Sequence, residues 1–267
     1  MLIGQFLQRA RAGLTRAELV VLVFVATVVV LLLVPVILRV REQSRLTQCR
    51  NNLKQIALAT HNYDDFEWKC LPPGAIVQGE SPGSFRGSWN ILLCGGCLGY
   101  PELFRHYTFT QGFDHPSNTT VRLTRMNVFL CPAQGLTVTS GGDPVSHYGA
   151  VCGTGEEPTT ARETDGAFQV NLPRTTADFK DGMSHTLMYG EIETGLGSWC
   201  GPSVLRSGSY GIGLGHPKGF GSAHKGGALF AVADGRVVFL RSDLDPVIFR
   251  ALCTIAGSDR VPEDLKW

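Results

Sequence analysis

The sequence predicts an α+β protein: one long N-terminal helix, half of it in a membrane, packed by its outer half on a body of antiparallel β-strands. Three observations predict it. Residues 19–38 form a 20-residue run without a charge. The residues that follow repeat apolar side chains at helical spacing. The remainder is rich in turn formers, with 32 Gly and 14 Pro in 267 residues, which argues against a helical bundle. A composition of 43% hydrophobic and 18% charged residues excludes disorder as the overall state. The length suits one large domain with an appendage. A formal net charge of +1 gives no reason to expect a nucleic-acid partner. The charge is uneven, however. Residues 1–50 hold seven Arg against Glu18 and Glu42, whereas the rest carries 17 basic and 21 acidic groups. A basic N-terminal end is thus joined to a mildly acidic body.

The run 19–38 spans about 30 Å as a helix, the thickness of bilayer hydrocarbon. Thr27 is its only polar side chain, and a helix hides that hydroxyl against its own backbone. A buried core helix seldom runs this long without a polar face. A cleaved secretory signal has a shorter apolar region followed by small residues, whereas Arg39, Arg41 and Arg45 follow here. Membrane lipid is therefore the first expected partner. Residues 39–66 contain no Pro or Gly and read as a continuation of the helix. Leu46, Cys49, Leu53, Ile56, Thr60 and Tyr63 alternate spacings of three and four and form one stripe. The stripe lasts under three heptads, so it predicts packing on the body's own sheet rather than a coiled coil.

In the body, 121–130 and 186–191 read as strands. The clearest hairpin is 228–233, Asp234-Gly235, then 237–240, with Asp-Gly expected to form a type I′ turn. Asp165-Gly166 and Asp181-Gly182 are further turns. The Gly- and Ser-rich stretch 195–221 reads as a loop excursion. Residues 244–255 predict a last helix, capped by Asp243 or Asp245 with Pro246 in its first turn.

No residue set points to catalysis. Ser184 precedes His185 but no nucleophile-elbow motif occurs, and no Walker A or dinucleotide motif is present. No cofactor is expected. Cys94-Gly95-Gly96-Cys97 lacks the second ligand pair that zinc requires, so a local disulfide or a thiol pair is the plain reading, and no metal site is expected. Glu156, Glu157, Glu163 and Asp165 lack EF-hand spacing and read as a solvated acidic loop. His224 and Asp234 flank one hairpin strand, as a small polar site or, more simply, as residues fixing the turn. Trp68, Trp89, Phe113, Tyr148 and Trp199 are core aromatics or, alternatively, the lining of a ligand pocket.

Two resemblances extend this reading. The stretch from Arg9 to Glu18 resembles the N-terminus of type IV prepilins and of type II secretion pseudopilins: a basic leader, Gly13, then an acid five residues on. It implies a leader at 1–13, cut by a prepilin peptidase after Gly13, with a methylated amine on Leu14 and Glu18 as the assembly acid. Pro35 matches that family's helix-kinking proline. The run from Cys49 to Tyr63, with Leu71-Pro72-Pro73-Gly74, Ser88-Trp89, Phe129-Leu130-Cys131-Pro132, the stretch from Asp181 to Glu191 and the pattern His224-x9-Asp234-Gly235, is similar to a large prepilin-like family of unknown function abundant in planctomycetes. These resemblances imply a pilin-like fold with a helix at 14–66 and an exported β-rich body at 67–267. They also imply single-pass anchoring in the inner membrane, with a short cytoplasmic N-terminus and an extracytoplasmic body. Cys49 and Cys131 lie in motifs of the resembled family, Cys49 on the helix stripe, and a disulfide between them is expected. The function so implied is a non-enzymatic pilin-like or pseudopilin-like assembly component that associates with itself or with pseudopilin partners. The alternative is a membrane-tethered extracytoplasmic solute- or polysaccharide-binding protein.

Overall fold

The structure is a computed structural model, and it describes residues 15–64, 69–79, 84–157 and 165–257. Gly13, Leu14, Trp68 and Glu163 lie outside the described residues. The chain divides after Ser44 into two compact units.

The first unit is the beginning of helix α1 (Arg16–Asn62). Thr15 and Glu18 start it with a capping box: the Glu18 carboxylate accepts from the Thr15 amide at 2.9 Å and from its hydroxyl at 2.9 Å, and the Glu18 amide donates back to the Thr15 hydroxyl at 3.3 Å. These bonds satisfy donors that the first helical turn leaves open. The Thr27 hydroxyl donates to the Val23 carbonyl at 2.8 Å, as a hydroxyl in an apolar run must. Residues 15–45 are all exposed. This helix is long and apolar enough to cross a membrane.

The second unit begins at Arg45 and contains the rest of α1. Here the expected stripe is buried: Cys49, Leu53, Ile56 and Thr60 are at most 1% exposed. After α1 come β1 (Ala75–Val77) and β2 (Phe85–Ser88), an antiparallel pair, then the short helices α2 (Trp89–Cys94), α3 (Pro101–His106) and α4 (Thr119–Arg122). The main sheet is built from β3 (Tyr148–Val151), β4 (Leu187–Glu191), β5 (Leu205–Arg206), β6 (Gly227–Val232) and β7 (Val237–Arg241), in the order β5-β3-β4-β6-β7. Helix α5 (Pro246–Leu252) follows, with Pro246 in its first turn and the Asp245 carboxylate accepting from the Val247 amide at 2.8 Å.

Strand β6 shows why the sheet is covered on both faces. Leu229, Ala231 and Ala233 belong to one core cluster with Cys49, Leu53, Ile56 and Tyr189. Ala228, Phe230 and Val232 belong to the other, with Phe249 and Leu252 of α5. The two-residue strand period thus feeds α1 on one side and α5 on the other. Trp89, Phe129, Tyr189 and Trp199 fill the α1 side, with Trp89–Tyr189 centroids 4.5 Å apart and Phe129 stacked on Trp199 at 5.7 Å.

Several expectations are corrected. The sheet is mixed, because β5, inside the predicted excursion 195–221, pairs parallel to β3. Residues 121–130 form no strand: α4 and a 3-10 turn at Asn127–Phe129 satisfy the backbone locally. The 233–235 connection is not type I′. Among its residues only Gly235 has positive φ, and the Gly235 amide donates to the Val232 carbonyl, the pattern of a three-residue loop with a G1 bulge.

Cys49 and Cys131 form a disulfide, with Cα atoms 5.2 Å apart and a sequence separation of 82. Closing so long a loop is worth on the order of 4 kcal/mol in the loop-entropy model. Reduction, or the double change Cys49→Ser and Cys131→Ser, is expected to lower body stability by about 2–5 kcal/mol. Urea unfolding in detergent, followed by the emission of the buried Trp89 and Trp199, measures this; an unchanged midpoint contradicts it.

Candidate functional site

The buried polar residues gather where α1, β4 and the segment before β6 meet. Cys49 arrives on α1. Cys131 comes from the turn after Phe129, Glu191 ends β4, and His224 precedes β6. The His224 Nε2 atom lies 3.6 Å from the Cys131 sulfur and 3.7 Å from Glu191 Oε1. The other carboxylate oxygen, Oε2, accepts from the Leu229 amide at 2.9 Å. Oε1 is buried with no hydrogen-bond partner. Burial pushes the Glu191 carboxyl above its ordinary value, opposed by the Leu229 amide, the Ser222 hydroxyl and the His224 ring.

Two further groups hold the Cys131 segment. His147 Nδ1 accepts from the Cys131 amide at 2.9 Å, and Nε2 lies 2.7 Å from the Leu136 carbonyl. The first bond requires a bare Nδ1 and the second a protonated Nε2, so the ring is the neutral tautomer. Burial lowers its pKa from the usual 6.5, partly offset by the Leu136 carbonyl. Asn52, one helical turn after Cys49, donates to the Leu130 carbonyl at 2.9 Å and to the Tyr148 hydroxyl at 3.3 Å.

His224 and Asp234, paired in the sequence pattern, are not brought together. His224 stands in the buried cluster. Asp234 is part-exposed at the far end of β6, where its carboxylate holds the Arg236 amide at 2.9 Å and Nε at 2.6 Å. The turn-fixing reading therefore suits Asp234. Gly235 docks the hairpin on α1: its carbonyl accepts from Lys54 Nζ at 2.6 Å, and its α-carbon faces Lys54 and His61. A side chain here would also be strained, since φ is +86°.

Of the two readings of Cys94 and Cys97, the structure has the thiol pair rather than the local disulfide. Cys94 ends α2 and turns into the core, where burial, then the nearby Cys200, push its pKa up, while Cys97 lies in the half-buried turn beyond. The acidic loop is engaged by its own neighbours: Asp165 accepts from the Thr154 amide at 2.7 Å and hydroxyl at 2.5 Å, and Glu157 pairs with Lys218. Trp89, Tyr148 and Trp199 are fully buried and Phe113 packs against the core, so these four serve as core aromatics. A groove of about 1060 Å³ does run between α1 and β7, lined by Arg50, Lys54, Arg236 and Arg241 among others.

Sequence reasoning missed Glu191, His147, Asn52 and Lys54 as members of these contacts. Asn52 carried a usable signal, a polar side chain three residues after Cys49, beside the buried stripe. Glu191 carried a second, an acid closing an apolar strand.

The neutral His147 makes stability pH-dependent. Its folded pKa is depressed, so its contribution is present above 6.5 and is lost as pH falls through the lower folded value. Glu191 has the opposite sign: its contribution is present below 4.5 and is lost as pH rises through the raised value. The comparison of wild type with His147→Gln isolates the first effect. Gln keeps one donor and one acceptor, so the variant is expected to lose less stability between neutral pH and about pH 5. Denaturant titrations across that range measure the two slopes, and parallel slopes contradict the assignment.

No curated protein and no solved structure matches this chain. A family model described as a protein of unknown function, DUF1559, matches residues 39–209. The match runs from within α1 to beyond β5 and takes in Cys49, Cys131 and Glu191. The chain belongs to the DUF1559 family.

Proposed function

We propose that this protein is a pilin-like or pseudopilin-like subunit, a structural or assembly component related to type II secretion and type IV pili, and not an enzyme. The observation that carries this reading is the composition of the N-terminal unit. A basic segment with Gly13 leads to Glu18, and Glu18 opens a helix whose residues 19–38 are apolar and exposed. Seventeen of these twenty are Leu, Ile, Val or Phe, which favours membrane insertion by on the order of 5 kcal/mol or more. In this reading a prepilin peptidase cuts after Gly13, the short N-terminus is cytoplasmic, and the body lies outside the inner membrane. The Cys49–Cys131 disulfide suits an oxidising compartment there. A second reading, a membrane-tethered solute- or polysaccharide-binding protein, has one observation in its favour, the groove between α1 and β7, lined by four basic side chains and by Asp243 and Asp245.

Cleavage is tested first. The intact mass of the protein extracted from membranes is expected to equal that of the chain from Leu14 onward, with one added methyl group. A mass corresponding to Met1 as the first residue, or to a start beyond residue 38, overturns the processing reading.

Glu18 separates assembly from anchoring. Its carboxylate caps its own helix through Thr15, so Glu18→Ala removes a cap as well as a charge. Gln also serves in a capping box, so Glu18→Gln removes the charge alone. Both variants are expected to insert normally and to lose crosslinking to neighbouring subunits in membranes severalfold. Crosslinking equal to wild type in both promotes the tethered-receptor reading. Recovery in Glu18→Gln assigns the residue to capping and overturns its role as the assembly acid.

A further inference from the structure

Four side chains able to ligate a metal converge at one buried point. One ligand atom each of Cys49, Cys131, Glu191 and His224 lies within 4.8 Å of the others, and all four residues are buried. Two sulfurs, an imidazole nitrogen and a carboxylate oxygen make a donor set suited to tetrahedral zinc. Zinc bonds of about 2.0–2.3 Å put neighbouring ligands roughly 3.3–3.8 Å apart in a tetrahedron. The Cys131 sulfur and His224 Nε2 are 3.6 Å apart, and His224 Nε2 and Glu191 Oε1 are 3.7 Å apart. The sulfur–nitrogen separation already matches a tetrahedral edge, and the nitrogen–oxygen one exceeds it by a few tenths of an ångström, a shift that side-chain rotation supplies on binding.

A second observation points to a ligand. Glu191 Oε1 is buried with no hydrogen-bond partner, a costly arrangement for a carboxyl oxygen. The Leu229 amide bonds Oε2, and a glutamine would accept that bond equally well. The His224 ring stands 3.7 Å from Oε1, beyond hydrogen-bond distance, and a cation bound between the two would give the buried oxygen a partner. Outside the four ligands, the Leu229 amide fixes the Glu191 carboxylate and His147 fixes the Cys131 backbone, the kind of support that orients metal ligands.

We propose that reduction of the Cys49–Cys131 disulfide converts this cluster into a binding site for a thiophilic divalent cation of the zinc class, so that α1 is fastened to the body either by the disulfide or by the metal. The two states exclude each other, because a sulfur bonded to its partner sulfur carries no charge to offer a cation. A dithiol reductant supplies two electrons and two protons. The sulfur–sulfur bond breaks, two thiols form, and the reductant leaves as its own disulfide. The cation then displaces one proton from each thiol to solvent and binds both thiolates, the neutral His224 ring and the Glu191 carboxylate. Either fastening joins the same helix to the same segment, so the body keeps its architecture through the exchange.

The test uses the full chain in detergent with cobalt(II) as the probe. The protein is reduced anaerobically by a thiol-free phosphine and then titrated. The expected result is one equivalent of cobalt, with thiolate charge-transfer absorption and the ligand-field bands of a tetrahedral site. The unreduced protein is expected to give neither. His224→Ala and Glu191→Gln retain both cysteines, and peptide mapping of their unreduced forms checks that the disulfide, and so the fold, is intact. Reduced, each is expected to bind cobalt at least about tenfold more weakly. The double change Cys94→Ser and Cys97→Ser is expected to leave the spectrum unchanged. Absence of tetrahedral cobalt in the reduced wild type overturns the proposal. So do bands that survive Cys49→Ser with Cys131→Ser, and so does equal affinity in both the His224 and Glu191 variants.

Discussion

The body depends on covering one face of its five-stranded sheet with the second half of α1. A sheet whose interior strand β6 is buried on both faces needs an apolar layer on each side. On one side the layer is the stripe Cys49, Leu53, Ile56 and Thr60. Each buried Leu or Ile there contributes about 1.5–3 kcal/mol. Two polar side chains of the helix, Thr60 and Asn52, are buried and paired. The Thr60 and Tyr189 hydroxyls meet at 2.7 Å, and Asn52 bonds to Leu130 and Tyr148. Apolar burial supplies the drive, and these bonds fix which residues of the helix lie over which strand, because a shift along the helix would bury each of them unpaired. The disulfide then ties the same helix to the loop after Phe129.

The C-terminal hairpin grips this helix at both ends. Before β6, His224 stands against Cys131, which is bonded to Cys49. After β6, the Gly235 carbonyl takes the Lys54 ammonium. Between them runs β6, a strand buried along its whole length. A pattern of His, nine residues, Asp and Gly is therefore the length of strand needed to run from one fastening to the other. Asp234 shapes the turn that delivers Gly235 and faces Arg236 rather than the helix.

The irregular stretch 195–221 is ordered by a buried cation. The Arg206 guanidinium, on β5, donates to the carbonyls of Thr194 and Gly195 at 3.1 Å and to that of Pro217. Burial lowers its pKa to about 10, which still leaves it charged at neutral pH. A buried charge surrounded by backbone carbonyls holds the loop's two flanks together, since leaving the charge unsolvated costs more than ordering the chain. Gly149 on β3 makes room for this side chain, because a Cβ there would meet the Arg206 Cγ atom at 2.6 Å.

Much of the architecture was legible without coordinates. The uncharged run 19–38, the stripe from Leu46 to Tyr63, the strand 187–191, the hairpin around Asp234-Gly235 and the Asp245-capped helix are all local patterns. Each is set by periodicity or by a turn residue within a few positions. The Cys49–Cys131 bond came from resemblance, not from spacing. Local pattern failed where a partner decided the outcome. Residues 121–130 have strand composition, but among the described residues no strand pairs with them, and the amides of Leu123, Thr124, Phe129 and Leu130 bond within short helical turns. Leu205 and Arg206 look like loop yet complete the sheet because β3 offers a free edge. The buried cluster was not legible for the same reason. His224 and Glu191 stand out locally, one in the His-x9-Asp-Gly pattern and one closing an apolar strand, but only the packing of α1, β4 and the segment before β6 brings them and His147 to Cys131. Helix, turn and membrane propensity are properties of neighbouring residues and can be read from the chain. Strand pairing, burial of polar groups and convergence of ligands are contacts between distant segments, so tertiary structure alone decides them.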